Sequence, residues 1–210
     1  MRIAVILLLT VLVCTPVYGE TGELDAAPGT TITVSGGMDY SPLTPGEKFH
    51  LYLKSTVEPI SIFASAFSAG YNQAVDSVPD WGQGMTGYGK RFASSLGQGE
   101  VDKTVRSSLK ILLREDPRFF YSNRQGIRER TLHALSETFV AHKDSGGVRP
   151  DYSSFVGIAS SVYISRQWRP ESERTANEYI KGAAISIGTQ SAKNVFMEFW
   201  PDIRKKFLKR

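Results

Sequence analysis

From residue 44 onward, apolar and polar positions recur at helical spacing. Thr44-Pro45-Gly46-Glu47 predicts a capped helix start. A hydroxyl serves a free N–H, Pro takes the first helical position, and Glu stands three residues past the cap. Phe49, Leu51, Tyr52, Leu53 and Val57 carry this helix to Pro59. A second helix is predicted over 60–75, with no formal charge from Pro59 to Val75 and with Phe63 and Phe67 on one face. The turn-rich stretch Asp76–Gly89 predicts a shaped loop. A third helical region covers 88–96 and resumes over 101–114 past Gly97 and Gly99, where Val101, Val105, Leu109 and Leu112 form a stripe. Asp116-Pro117 ends it. Further helices are predicted over 127–141 (Leu132, Leu135, Phe139 and Val140 inward) and 153–165 (Phe155, Ile158, Val162 and Tyr163). Asp144–Pro150 is a loop between them. A last helix opens near Ser172-Glu173 and reaches Trp200, where Pro201 kinks it or begins a basic tail. These elements predict a mainly α fold: a single compact multi-helix bundle over 43–210 behind an extended arm at 20–42.

The first residues follow another logic. Met1-Arg2 is a short positive start, Ile3 to Val13 is apolar except for Thr10, and Pro16 breaks the run. Val17 and Gly19 stand third and first before a cut ahead of Glu20, so residues 1–19 predict a cleaved signal peptide. A lipoprotein signal with Cys14 lipidated needs a small residue before the cysteine, and Val13 stands there. Within 20–42, Thr30-Thr31-Ile32-Thr33-Val34 has β character but no evident partner.

Three helices are rich in small residues. Ala66/Gly70, Gly157/Ser161, Gly182/Ser186 and Ala184/Gly188 are each four apart, which puts both members on one face and lets another helix approach closely. Such packing suits a tightly packed soluble bundle, or a partly membrane-embedded or self-associating one. None of the uncharged stretches reaches the ~20 apolar residues a span requires.

Composition narrows the classes. The chain has 210 residues, 22% of them charged and 11% aromatic, which suits one globular domain and excludes a highly charged disordered chain. A single Cys excludes an internal disulfide, and it lies in the predicted signal. The formal charge is only +4, and cleavage would remove Arg2, so nucleic acid is not an expected partner.

Candidate chemistry is sparse. No H-E-x-x-H, G-x-S-x-G or P-loop motif is present, and no dinucleotide fingerprint is assigned. His133 and Glu137, four apart, present two donors, and a third would need His142 or Asp144 to turn back. No metal and no cofactor is assigned. The glycine-rich Trp81–Arg91 segment, with Tyr88, Lys90 and Arg91, is the best anion-site candidate. Asp116 and Arg118, with Glu198 and Asp202, complete a polar cluster that either binds a ligand or forms structural ion pairs, Glu198 and Asp202 pairing with Arg91 or Arg118. The tail carries Trp200, Arg204, Lys205, Lys206, Phe207, Lys209 and Arg210, a basic aromatic end suited to anionic lipid.

Four signatures occur in order: Trp81-Gly82-Gln83-Gly84, Gly87-Tyr88-Gly89-Lys90-Arg91, Asp116-Pro117-Arg118-Phe119-Phe120 and Glu198-Phe199-Trp200-Pro201-Asp202-Ile203. Together they resemble an uncharacterised family of exported bacterial proteins, over roughly 42–205. The resemblance implies export and an envelope setting, and it brings no activity. The expected function is that of a non-enzymatic helical envelope protein on a membrane surface or a protein partner. The alternative is an enzyme or ligand-binding module with an anion site at the 81–91 loop.

Overall fold

The structure is a computed structural model that describes residues 32–34, 38–122 and 124–208. The signal segment, most of the 20–42 arm, the Phe207 side chain, Lys209 and Arg210 lie outside the described residues. The fold is mainly helical. Its helices are α1 (Pro45–Thr56), α2 (Pro59–Ala74), α3 (Gly84–Leu112), α4 (Ile127–Ser136), α5 (Tyr152–Ser165) and α6 (Ala176–Leu208). Two antiparallel hairpins accompany them, β1 (Ile32–Val34) with β2 (Met38–Tyr40) and β3 (Val140–His142) with β4 (Val148–Pro150). Helix α3 is the spine. It carries α1 and α2 and packs along α5, while α6 packs on α4 and α5.

Several starts and stops follow from local chemistry. The Thr44 hydroxyl accepts from the Glu47 N–H at 3.3 Å, and Glu47 accepts from the Thr44 N–H at 2.8 Å, closing the capping box. The Thr44 backbone bond, and then its hydroxyl, hold the Glu47 carboxyl below its ordinary pKa. Asp151 caps α5 by accepting from the Ser154 N–H at 2.8 Å.

Other elements differ from the sequence expectation. The β character at 30–34 does find a partner, since Ile32 pairs with Tyr40. Helix α3 begins at Gly84, inside the expected loop, and runs unbroken through Gly97 and Gly99. A Cβ on Gly97 would meet the Trp168 ring at 3.4 Å, an ordinary van der Waals contact. Helix α4 stops at Ser136, not near 141, because Thr138-Phe139-Val140 favours extended backbone and Gly146 and Gly147, at φ 88° and 81°, turn the chain into a hairpin. The expected loop 144–150 is that hairpin's turn and second strand. Ser172-Glu173 forms a 3-10 turn (Glu171–Glu173) rather than the start of α6, and α6 continues through Pro201 to Leu208. Within a long helix the proline removes one backbone bond without ending the run.

The small-residue faces divide. A Cβ on Gly157 would lie 2.9 Å from an Asp102 carboxylate oxygen, and one on Gly182 would lie 3.1 Å from a Val162 methyl, so these glycines let α5 approach α3 and α6 approach α5. Gly70 and Gly188 have nothing within 4 Å, so Ala66/Gly70 and Ala184/Gly188 serve no such internal approach at their glycines.

The partition of side chains is inverted relative to an ordinary soluble bundle. Among the described residues, the buried apolar groups are mostly small (Ala69, Val78, Ala134, Ala141, Ile158, Val162). Lys48, Arg91, Glu115, Asp116, Asp151, Arg166, Glu173 and Glu198 are buried beside them. Leu112, Leu132, Leu135 and Phe139, expected inward, are exposed. Helix α2 shows the inversion most clearly. Phe63, Phe67 and Tyr71 are 69%, 79% and 63% exposed, while Ser61, Ser65, Ser68 and Asn72 line a cleft behind the helix.

Candidate functional site

The predicted site residues fall into three polar ties. The first is built on Arg91. Its Nη1 donates to the Gly82 carbonyl at 2.7 Å, and its Nη2 donates to the Val78 carbonyl at 2.9 Å and to Asp76 Oδ1 at 3.1 Å. Gly82, Gly84 and Gly87 are spaced as in a dinucleotide-binding loop, a signal the reading above missed. The loop nonetheless follows a 3-10 turn (Pro79–Trp81) rather than a strand, and its carbonyls turn toward a cation. Gly87 is required, because a Cβ there would sit 2.2 Å from the Gly82 oxygen. Lys90 is exposed while Arg91 is buried, so the two cations do not converge. Tyr88 donates its hydroxyl to the Ala66 carbonyl at 3.2 Å, and the half-buried Trp81 ring has the Arg169 guanidinium 5.9 Å from its centroid. This segment is bound into the fold as an arginine lock.

The second tie surrounds the Asp-Pro-Arg signature. Arg118 folds back on buried Asp116, with Nε–Oδ1 at 3.0 Å and Nη2–Oδ2 at 2.6 Å, and it also donates to the Ser41 carbonyl at 2.8 Å. Asp116 donates its backbone N–H to the His142 carbonyl at 2.8 Å. Its neighbour Glu115 is fully buried. It accepts from Arg149 Nη2 at 2.6 Å and from the Ser153 hydroxyl, joining α3, the second hairpin and α5. Neither Glu115 nor Arg149 carries a motif that would have marked it.

The third tie corrects the expected pairing. Glu198 and Asp202 meet Arg130 rather than Arg91 or Arg118. Arg130 Nε donates to Glu198 Oε1 at 2.9 Å, Nη1 to Asp202 Oδ2 at 2.5 Å, and Nη2 to the Glu198 carbonyl at 2.6 Å. Its guanidinium lies 4.6 Å from the Phe199 ring centroid. Asp202 first and Glu198 second hold the Arg130 pKa above its ordinary value. Beside this tie, Glu137 receives His142 Nε2 at 3.0 Å and stands 3.7 Å from His133 Nε2. The chain does turn back, as a shared site would need. Asp144, however, is held by Lys48 at 2.5 Å, and among the described residues no three donors are grouped to hold a metal.

The predicted residues therefore do not converge on one pocket. A cleft of about 390 Å³ lies between α2 and α6, floored by α3 and α5. Trp81 and Arg91 reach its wall, together with Lys103, Arg106, Arg169 and Lys193, none of which the sequence reading singled out. Burial, and then the neighbouring Arg166, lower the Arg169 pKa to about 10. Further along α6, Phe196 and Trp200 are exposed with ring centroids 5.3 Å apart, and Arg204, Lys205 and Lys206 follow them on the surface. No protein-family model, curated protein or solved structure matches the chain.

Proposed function

We propose that this chain is an exported, non-enzymatic helical protein of the bacterial envelope that lies on an anionic lipid surface. The observation that carries this reading is the inversion of α2. An uncharged helix turns its serines inward and Phe63, Phe67 and Tyr71 outward, an arrangement that costs free energy in water and gains it against hydrocarbon. Helix α1 repeats the pattern, with Lys48 buried and Phe49, Leu51 and Leu53 exposed. The Phe196–Trp200 pair beside Arg204, Lys205 and Lys206 supplies the second requirement, cations near an interfacial indole, each worth about 1 kcal/mol at an anionic surface. Among the described residues no helix is long and apolar enough to cross a membrane, so the reading concerns surface association. The signal-like residues 1–19 and the resemblance of the four signatures support export.

The test is vesicle co-sedimentation of the chain lacking residues 1–19, using phosphatidylglycerol-rich and pure phosphatidylcholine vesicles. Binding is expected to the former. It should weaken in a Phe63→Ser/Phe67→Ser double variant and with rising salt. Absence of binding to both vesicle types overturns the reading.

A further inference from the structure

The cleft between α2 and α6 is electrostatically one-sided. Six basic side chains line it (Arg91, Lys103, Arg106, Arg166, Arg169 and Lys193) against two acids, Glu100 and Asp102. Most of these cations have an acid. Lys103 holds Glu100 at 2.7 Å, Arg106 holds Asp102 at 2.8 Å, Arg91 holds Asp76 at 3.1 Å, and Arg166 holds Glu173 at 2.6 Å. Arg169 shares Glu173 only at 3.7 Å. Lys193 makes no hydrogen bond or ion pair within the described residues. Its residue is exposed at the wall of the cleft. Burial, and then the positive charge of Arg106, depress its pKa, with Lys103 adding to this and Glu58 and Asp102 opposing it. The buried Nε donors of Arg91, Arg106 and Arg166 also lack a partner.

Among the described residues the Lys193 ammonium is the lining cation with no acid of its own, and it is exposed where a ligand entering the cleft can reach it. We propose that this cleft binds a phosphate group carried on an apolar body, with Lys193 and Arg106 holding the phosphate and Lys103, whose ammonium already donates to Glu100, Ser61 and the Ser55 carbonyl, adding positive charge beside it. Clustered ammonium and guanidinium donors suit a dianion with several oxygens better than a single carboxylate. The hydroxyls of Ser61 on α2 and Thr189 on α6 and the amide of Gln190 line the same cleft, while Ala64, Leu96 and Ile185 supply apolar surface for the rest of the molecule. The site lies behind the polar face of α2, so it stands independently of whether the outward face of that helix meets lipid. A phospholipid headgroup and a soluble phosphate ester both present this chemistry.

The experiment is calorimetric titration of the chain lacking residues 1–19 with three probes: inorganic phosphate, glycerol 3-phosphate, and dihexanoyl phosphatidic acid below its micelle concentration. Saturable one-to-one binding is expected for at least one probe. It should weaken tenfold or more in Lys193→Gln, return in Lys193→Arg, and remain unchanged in Lys205→Gln. Binding confined to the lipid probe assigns a lipid source, and binding shared by glycerol 3-phosphate assigns a soluble one. No saturable binding of any probe, or equal binding by Lys193→Gln, overturns the proposal. Should circular dichroism show that Lys193→Gln does not fold, the wild-type Lys193 side-chain resonance decides. Its pKa should rise when the bound probe is present, and an unmoved pKa overturns the proposal.

Discussion

Arg130 seals Glu198 away from water. The carboxylate is 0% exposed, its Oε1 lies 2.9 Å from Arg130 Nε, and its Oε2 takes the Ser122 N–H at 3.0 Å. A buried carboxylate without its cation is costly, and removing one partner of such a pair typically destabilises by 3–5 kcal/mol. Arg130 is partly exposed, so the lower end applies. Arg130→Met should destabilise by about 3 kcal/mol in chemical denaturation. Glu198→Gln, which leaves no stranded charge, should cost visibly less. Equal losses in the two variants would contradict this assignment of roles.

The arginine lock makes a pair of glycine predictions. Gly87→Ala would drive a methyl into the Gly82 oxygen at 2.2 Å and against Arg91 Nη1 at 2.8 Å. A loss of about 3 kcal/mol is expected, at the upper end of overpacking costs. Gly89→Ala, two residues on in the same helix, meets nothing within 4 Å and should stabilise by about 0.5–1 kcal/mol through helix propensity. Thermal denaturation of the two variants side by side reads both signs.

How much of this was legible in the sequence follows from what each feature depends on. Helices α1, α2 and α5 are written in their caps and breakers, Thr44 with Glu47, Pro59, and Asp151 before Tyr152, and all stand close to where the spacing puts them. The β3–β4 hairpin was also written, in Gly146-Gly147 between β-favouring residues, but the helical spacing of Leu132, Leu135 and Phe139 masked it. The partners of the acids were not legible, because Arg130 lies 68 residues from Glu198 and no local pattern ties them. Nor does periodicity tell which medium a stripe faces. Phe63 and Phe67 share a face in either case, and only the tertiary packing of α2 on α3 turns that face outward. The basic cleft combines both difficulties, since its cations come from α3, α5's exit and α6, and each alone resembles an ordinary surface charge.

The depressed pKa of Lys193 carries a stability prediction with a defined sign. A base whose pKa is lower in the folded state binds its proton less well there, so its charge destabilises the fold at neutral pH. That cost fades as pH rises through the lowered pKa toward the ordinary lysine value near 10.4. Lys193→Gln should therefore raise Tm at pH 7, by a small amount because solvent reaches the side chain and screens the repulsion. The gap to wild type should close on titration into the alkaline range. A lowered Tm at pH 7 would mean that Lys193 has a stabilising partner in the free protein.

The outward face of α2 predicts a separation of stability from association. Phe63 and Phe67 leave most of their surface in solvent, so removing them deletes little packing, and substitutions at such positions usually stay within about 0.5 kcal/mol. Phe63→Ser/Phe67→Ser should keep the wild-type denaturation midpoint while reducing vesicle binding and raising the concentration at which the protein aggregates. The buried serines of the same helix make the opposite case. Ser65 lies on the cleft side, and Ser65→Phe would place a ring where α2 packs on α3, lowering stability by about 1–3 kcal/mol. If the phenylalanines instead proved essential for folding in the absence of lipid, they would belong to a core that closes in solution, and the inverted reading of α2 would fail.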